Sequence, residues 1–459
     1  MGRLGSQLDV RRVSGAGTGY FGTAVETCST CSDTQGQKGE RRPRSDSPEM
    51  SREQVKRRAV LSLFCDPVPE QSSELVELSV RDWERLMRWL DLSGLALYFL
   101  DRVVELKLCD LLPTAVFTRL HLNLIDNTER TRAMLLESMR IQRNFQQAGI
   151  SYAVLKGISL WPNAAPKPEL RSQFDLDYLV AEGEIPAARE ILQRCGYRLY
   201  AVSGRSSEFK KNERPGVWLK DIYKHFNSYG VELHSASASA NGQSVLDRLE
   251  WRDVNGNAMP VLNAVDLFLG HGMHTFKHVC GEYARASQFL EFRRHVLRYR
   301  DDSNFWHELR VVCDGNRRAR LGLGLVVCLI QQVMGGFAPE ALASWTVDAL
   351  PERLRLWVRI FGHRVVLGGY PGTKLHLLLQ QELERYGVEG KRSARNVLLP
   401  AQLPPPVIRP FANERWGTRM RRYAMHLGTI VERARFHLIE GARYLVEARR
   451  WRRLEGSPR

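Results

Sequence analysis

The sequence lacks three things: a long hydrophobic run, a dense cysteine pattern and an internal repeat. The longest apolar stretch, "LGLGLVVCLI" at 321–330, falls well short of the roughly 20 residues that a membrane-spanning helix needs. Eight cysteines are scattered from Cys28 to Cys328 without the spacing of a disulfide scaffold. Residues 1–20 contain no apolar core of a secretory signal, and a reducing cytoplasm is the expectation. Without a fixed period, solenoids and propellers are also set aside. Acidic residues are in deficit: 51 Asp and Glu against 67 Lys and Arg leave a net charge of +16. That balance suits polyanionic partners such as nucleic acid, nucleotides or an anionic membrane surface. Many of the arginines lie in the first 60 and the final 45 residues, so a basic body with basic ends explains the charge equally well.

What is present reads as a globular chain of 459 residues, 43% hydrophobic and 26% charged, long enough for two or three domains. Residues 1–57 are rich in Gly, Ser, Thr, Arg and Gln. They bury too little apolar surface to order themselves and read as a disordered basic tail, or as an extension upstream of a start at Met50. Helical spacing runs through 58–148, with "SVRDWERLMRWLDLSGLALYFLDRVVELKL" carrying apolar residues every three or four positions. The segment 149–262 alternates instead. Strand candidates lie at 151–157, 171–180, 198–203 and 229–236, and "EIPAAREILQRCGY" forms an amphipathic helix between them. Residues 263–397 return to helical spacing, and 398–459 combine a Pro-rich loop with a basic C-terminal helix.

The chemistry concentrates in the alternating segment. In "RSQFDLDYLV", Asp175 and Asp177 project from one face of a strand, because side chains there repeat every two residues. Like charges that close raise each other's pKa. The pair is either the solvated edge of a strand or half of a cation site. Upstream, "VLKGISL" ends a strand in a turn at Gly157, where backbone approaches a ligand closely; Lys156 and Ser159 flank it as a candidate phosphate contact and hydroxyl donor. Downstream, "VELH" sets Glu232 and His234 on one strand face. In one sheet these pieces bring three carboxylates together near a glycine turn. That donor set suits Mg²⁺, and a pair of such ions suits in-line phosphoryl displacement.

The order strand, "LKG", loop, Arg, "DLDYLV", helix, "VELH" resembles the uncharacterised nucleotidyltransferase family of the DNA polymerase β-like superfamily, over roughly residues 80–300. The resemblance implies an α+β fold: a small mixed nucleotidyltransferase-type sheet flanked by N-terminal and C-terminal helical regions. It implies transfer of a nucleoside monophosphate from an NTP to an unidentified acceptor, with two Mg²⁺ ions. Asp175, Asp177 and Glu232 match the metal-binding carboxylates. Gly157 takes the triphosphate turn, Lys156 the lysine of the "LKG" turn, and Arg171 the basic residue before the pair. The superfamily's adjacent Gly-Ser is here Gly157-Ile158-Ser159, and its third carboxylate is here Glu rather than Asp. A second reading keeps the fold without turnover, as a nucleotide-sensing or assembly protein linked to surface polysaccharide production.

Several residues carry competing readings. Lys156 also suits snorkelling from a strand end, Arg171 a structural salt bridge to Asp175 or Asp177, and His234 simple packing. In "HGMHTFKH", His271, His274 and His278 share a helix face. Packing of that helix over the sheet's cleft, with a histidine or Lys277 toward substrate, is favoured over a zinc site. The lone "CSTC" at 28–31 lacks the second pair that a zinc ribbon needs. Trp416, Tyr423, Phe436, Tyr444 and Trp451 interleave with arginines; a packed helix face is favoured over nucleic-acid binding.

Overall fold

In the computed structural model the described residues are 50–211, 219–225, 229–236, 244–254, 256–389, 397–398, 400 and 415–455. The expected tail before Met50 and the "CSTC" motif lie outside them. Residues 52–57 are helical, because Ser51 caps them: its hydroxyl accepts from the Gln54 amide while the Gln54 side chain accepts from the Ser51 N–H. Helix α1 (Arg52–Ser62) is followed by α2 (Val80–Ser93), α3 (Ala96–Glu105) and the long α4 (Thr114–Gln147). Gly94 ends α2 in a left-handed conformation, φ 75°.

Seven strands then form one mixed sheet: β1 (Tyr152–Leu155), β2 (Asp175–Ala181), β3 (Arg198–Ser203), β4 (Ser206–Lys210), β5 (Gly230–Ala236), β6 (Leu249–Val254) and β7 (Asn257–Leu262). Their order is β3-β4-β5-β2-β1-β7-β6. Strand β1 runs antiparallel to β2 and parallel to β7, and β2 runs parallel to β5. A helix, α5 (Ile185–Arg194), with Pro186 in its first turn, provides part of the crossover from β2.

Alternation gives the sheet two unlike faces. Tyr152, Val154, Leu176, Tyr178, Val180, Val231 and Leu233 turn to one side. There they form a core with Met134, Ile141 and Phe145 of α4 and Ala188, Ile191 and Leu192 of α5. Ala153 faces the other side, in a smaller apolar cluster with Leu160, Leu262 and Leu267, and the carboxylates of β2 and β5 share that second face. Helix α6 (Ala264–Val279) supplies Leu267 to it.

After α6 the chain is helical: α7 (Ala286–Arg298), α8 (Ser303–Val312), α9 (Arg317–Met334), α10 (Glu340–Thr346), α11 (Glu352–Val366) and α12 (His376–Arg385). The largest core joins these helices to α1, α2 and α3, so segments far apart in sequence make one helical body. The last helix, α13 (Trp416–Glu455), spans 40 residues. Its aromatics divide. Phe436, Tyr444 and Trp451 are buried, whereas Trp416 and Tyr423 are exposed. The expected packed face therefore covers only the C-terminal part of the helix.

Candidate functional site

Strand register assembles the site. Asp177 lies opposite Glu232 across the parallel β2–β5 ladder, Asp175 opposite Gly230 and Leu179 opposite His234. On the other side Asp177 is opposite Leu155, so the chain leaves β1 at Lys156 directly beside it. Two successive left-handed residues make the exit: Lys156 at φ 48°, ψ −158° and Gly157 at φ 33°. The conformation at Lys156 is costly for a residue with a Cβ, about 1–3 kcal/mol, a form of strain that clusters at functional sites. At Gly157 a Cβ would lie 2.0 Å from the side-chain amide of Gln173, and the positive φ of 33° strains any other residue there. Gln173 in turn donates to the Asp175 carbonyl at 2.7 Å, fastening the turn to the start of β2.

Lys156 Nζ lies 2.6 Å from Asp177 Oδ1 and 3.5 Å from Glu232 Oε2. His234 Nε2 lies 3.0 Å from the same Asp177 oxygen and 3.2 Å from Glu232 Oε2, so one imidazole N–H serves two carboxylates. Burial opposes charge on Lys156, but Asp177 and Glu232 outweigh it and raise the ammonium pKa. Burial likewise opposes charge on His234, and its hydrogen bonds to Asp177 and Glu232 raise its pKa above the usual value. Glu232 is held down at about 2, chiefly by the bond from His234 and then by Lys156, against the effect of burial. Asp175 behaves in the opposite way: burial, and next the charge of Asp177, push it up to about 6. No ion pair to its carboxyl is formed among the described residues.

Other expected residues are placed differently. The Ser159 hydroxyl is fully buried and donates to the Lys156 carbonyl at 2.8 Å, because the chain winds into a short 3-10 turn over Gly157–Leu160. Arg171 pairs with neither aspartate; its Nε donates to buried Glu291 of α7 at 3.2 Å. Glu291 also accepts from the Tyr98 hydroxyl at 2.9 Å. The three histidines of α6 separate. His271 turns into the helical body, where its Nδ1 is 3.2 Å from that of His295. His274 and His278 pair at 3.2 Å, with Gln288 at 3.5 Å from His274. Burial depresses both, to about 2 and about 4, with the charge of Lys156 as a smaller contribution, and the pair is neutral. Glu208, not anticipated from the sequence, lies opposite Glu232 on β4 and pairs with Lys210 at 2.8 Å. The signal for it was the alternation in "SSEFK", which is too polar to stand out as a strand.

The residues fit a divalent cation. Donor atoms of Asp177, Glu232 and His234 lie within 4.8 Å of one another, the one such group among the described residues. Beside them Asp175 holds a carboxyl whose ionisation burial opposes and a cation would favour. Oxygen donors suit hard cations such as Mg²⁺, and an imidazole in the set admits transition metals too.

No curated protein matches the chain, so a substrate has to be argued from the site itself. At the level of families, the model of the "Uncharacterised nucleotidyltransferase" family matches residues 79–335. The match runs from α2 through the whole sheet to the end of α9, more than half of the chain. It takes in both carboxylate strands and the Lys156–Gly157 turn, and the chain belongs to that uncharacterised nucleotidyltransferase family.

Proposed function

We propose that this protein transfers a nucleoside monophosphate from an NTP to an acceptor hydroxyl, amine or phosphate, in a reaction dependent on Mg²⁺. One observation carries the reading: Asp177 and Glu232 stand in register on adjacent parallel strands, beside Asp175, whose carboxyl lacks a cation and sits near 6. Asp175, Asp177 and Glu232 would hold the divalent cations, two in the pattern of the superfamily. Bound there, such ions neutralise phosphate oxygens and lower the pKa of the attacking group.

The chain's own residues account for the rest. The left-handed Lys156–Gly157 turn packs Gly157 against Gln173 and sets half-buried Lys156 beside the carboxylates, where it would receive the triphosphate. The Lys156 ammonium, now on Asp177, exchanges that carboxylate for a phosphate oxygen. The acceptor attacks the α-phosphorus, a new bond to it forms, and the bond to the β-phosphate oxygen breaks as pyrophosphate leaves. Glu232, near 2, is too weak a base to draw the acceptor's proton efficiently. Its role is to orient the acceptor and hold the cation, and the proton passes to solvent. Ser159 fastens the turn through the Lys156 carbonyl, and Arg171 braces the approach to β2 through Glu291.

A second reading, binding without turnover, draws on the same ammonium. Lys156 already places a cation between Asp177 and Glu232, the position that an ion would take. Calorimetric titration of ATP, GTP, CTP and UTP, with and without Mg²⁺, separates the two. For the transferase, binding requires Mg²⁺ and is lost in Asp177→Asn. Binding that ignores both the ion and the substitution supports the non-catalytic reading, and no binding of any nucleotide overturns both.

A further inference from the structure

We propose that the exposed face of α13 lies flat on an anionic phospholipid surface and so anchors the protein peripherally. The helix has two opposed apolar stripes. Phe436, Tyr444 and Trp451 face the body; there Trp451 donates to Glu382 at 2.8 Å, and Glu447 accepts from Arg364 at 2.8 Å. On the far side Trp416, Met420, Tyr423, Leu427, Val431, Leu438 and Leu445 recur at spacings of three, four and seven, and all are exposed. Leu427 is 62% and Leu438 75% exposed, values that mark a recurring outward stripe rather than one stray residue. From Trp416 to Leu445 the stripe is about 45 Å long at 1.5 Å per residue.

Charge identifies the occupant. The helix carries ten arginines and four glutamates. Two of the glutamates, Glu440 and Glu447, are buried on the body side and paired with Arg443 and Arg364. Arg433, Arg443 and Arg450 pair with Glu282, Glu440 and Glu447, and Arg422 is buried. Exposed Arg419, Arg421, Arg435, Arg449, Arg452 and Arg453 still outnumber exposed Glu432, so the outward half is cationic. Helical spacing sets exposed Arg419 along one edge of the stripe and exposed Arg421 and Arg435 along the other. An aliphatic stripe between basic edges is the pattern of a helix that lies in the headgroup layer. A second copy of the chain is a poorer occupant. A coiled-coil seam along 420, 424, 427, 431, 434, 438, 441 and 445 meets Ala434 and Gly441, which leave gaps. RNA is poorer as well, since leucine and valine at the stripe's centre offer no stacking surface. No described helix is long and apolar enough to cross a membrane.

The test is co-sedimentation of the full-length protein with vesicles of phosphatidylcholine alone, or with about one-third phosphatidylglycerol. Expected is binding to the anionic vesicles only, weakened about tenfold or more in Leu427→Ser/Leu438→Ser, since each leucine removed loses its apolar contribution. That variant keeps the charge and alters only exposed side chains; an unchanged circular dichroism spectrum confirms that it folds. Binding unaffected by the double substitution is adsorption through net charge and overturns the proposal. So does failure to bind the anionic vesicles, whether the protein then proves to be a dimer that the same substitutions dissociate or to retain an RNA oligomer instead.

Discussion

Two clusters of charge sit near each other in this molecule and differ in how completely they are satisfied. In the cluster behind the site, Arg171, Glu291 and Tyr98 form a closed set. One guanidinium and one phenol both donate to one carboxylate, and that carboxylate is buried. In the cluster at the site, three carboxylates face one ammonium and one imidazole, and Asp175 has no cationic partner among the described residues. Closed sets hold structure together. Open sets are costly unless a ligand completes them, and perturbed groups accordingly concentrate at functional sites. The contrast separates scaffold from site without reference to any relative.

The largest expected effect comes from opening the closed cluster. Glu291→Ala leaves the Arg171 guanidinium and the Tyr98 hydroxyl without their acceptor, and a loss of about 3 kcal/mol follows, the lower end for breaking a buried pair. Denaturant titration would show it as a lower midpoint at unchanged slope. Closing the open cluster works in the other direction. Asp175 has a folded pKa of about 6 against a reference value of 3.8. Its ionisation therefore costs nothing below about pH 4, begins to cost as pH rises through that range, and costs fully above 6. Asp175→Asn is expected to gain about 2 kcal/mol at pH 8, after allowance for partial solvent screening, and nothing at pH 3.5. The same variant should lose cation-dependent nucleotide binding. A variant that is no more stable at pH 8 than wild type would mean that the cluster is already compensated. The smallest effect is Tyr98→Phe, which removes one donor while Arg171 still holds Glu291, and costs about 1 kcal/mol by the same denaturant measurement.

Much of this was legible in the sequence, for physical reasons that can be named. Strands β1, β2, β3 and β5 show apolar alternation or short apolar runs. Asp175 and Asp177 at i and i+2, with "VELH" downstream, define the face that the structure gives them. Strands β4, β6 and β7 were not anticipated. The first is too polar. The hairpin of β6 and β7 carries the turn signal Asn255-Gly256 between its strands, but Pro260 within β7 argues against a strand. The structure admits it at a position paired with Trp251 of β6. Partner choice was the least legible property. Arg171 selects Glu291, far away in the chain, over the nearby aspartates, and the Ser159 hydroxyl selects the carbonyl three residues before it. Such choices depend on how helices dock and how a short turn winds, and neither leaves a mark in local spacing.

The β2–β5 ladder determines which changes the protein can absorb. Asp177 and Glu232 are held together by backbone hydrogen bonds between their strands, not by the chain that connects them. That connection, through α5, β3 and β4, is free to lengthen or shorten at its loops without moving either carboxylate. A single residue inserted inside β2 or β5 would do what no loop change does: it would turn every following side chain to the opposite face, sending carboxylates into the apolar core and leucines to the site. Variation in length between the two strands is tolerable, and variation within them is not.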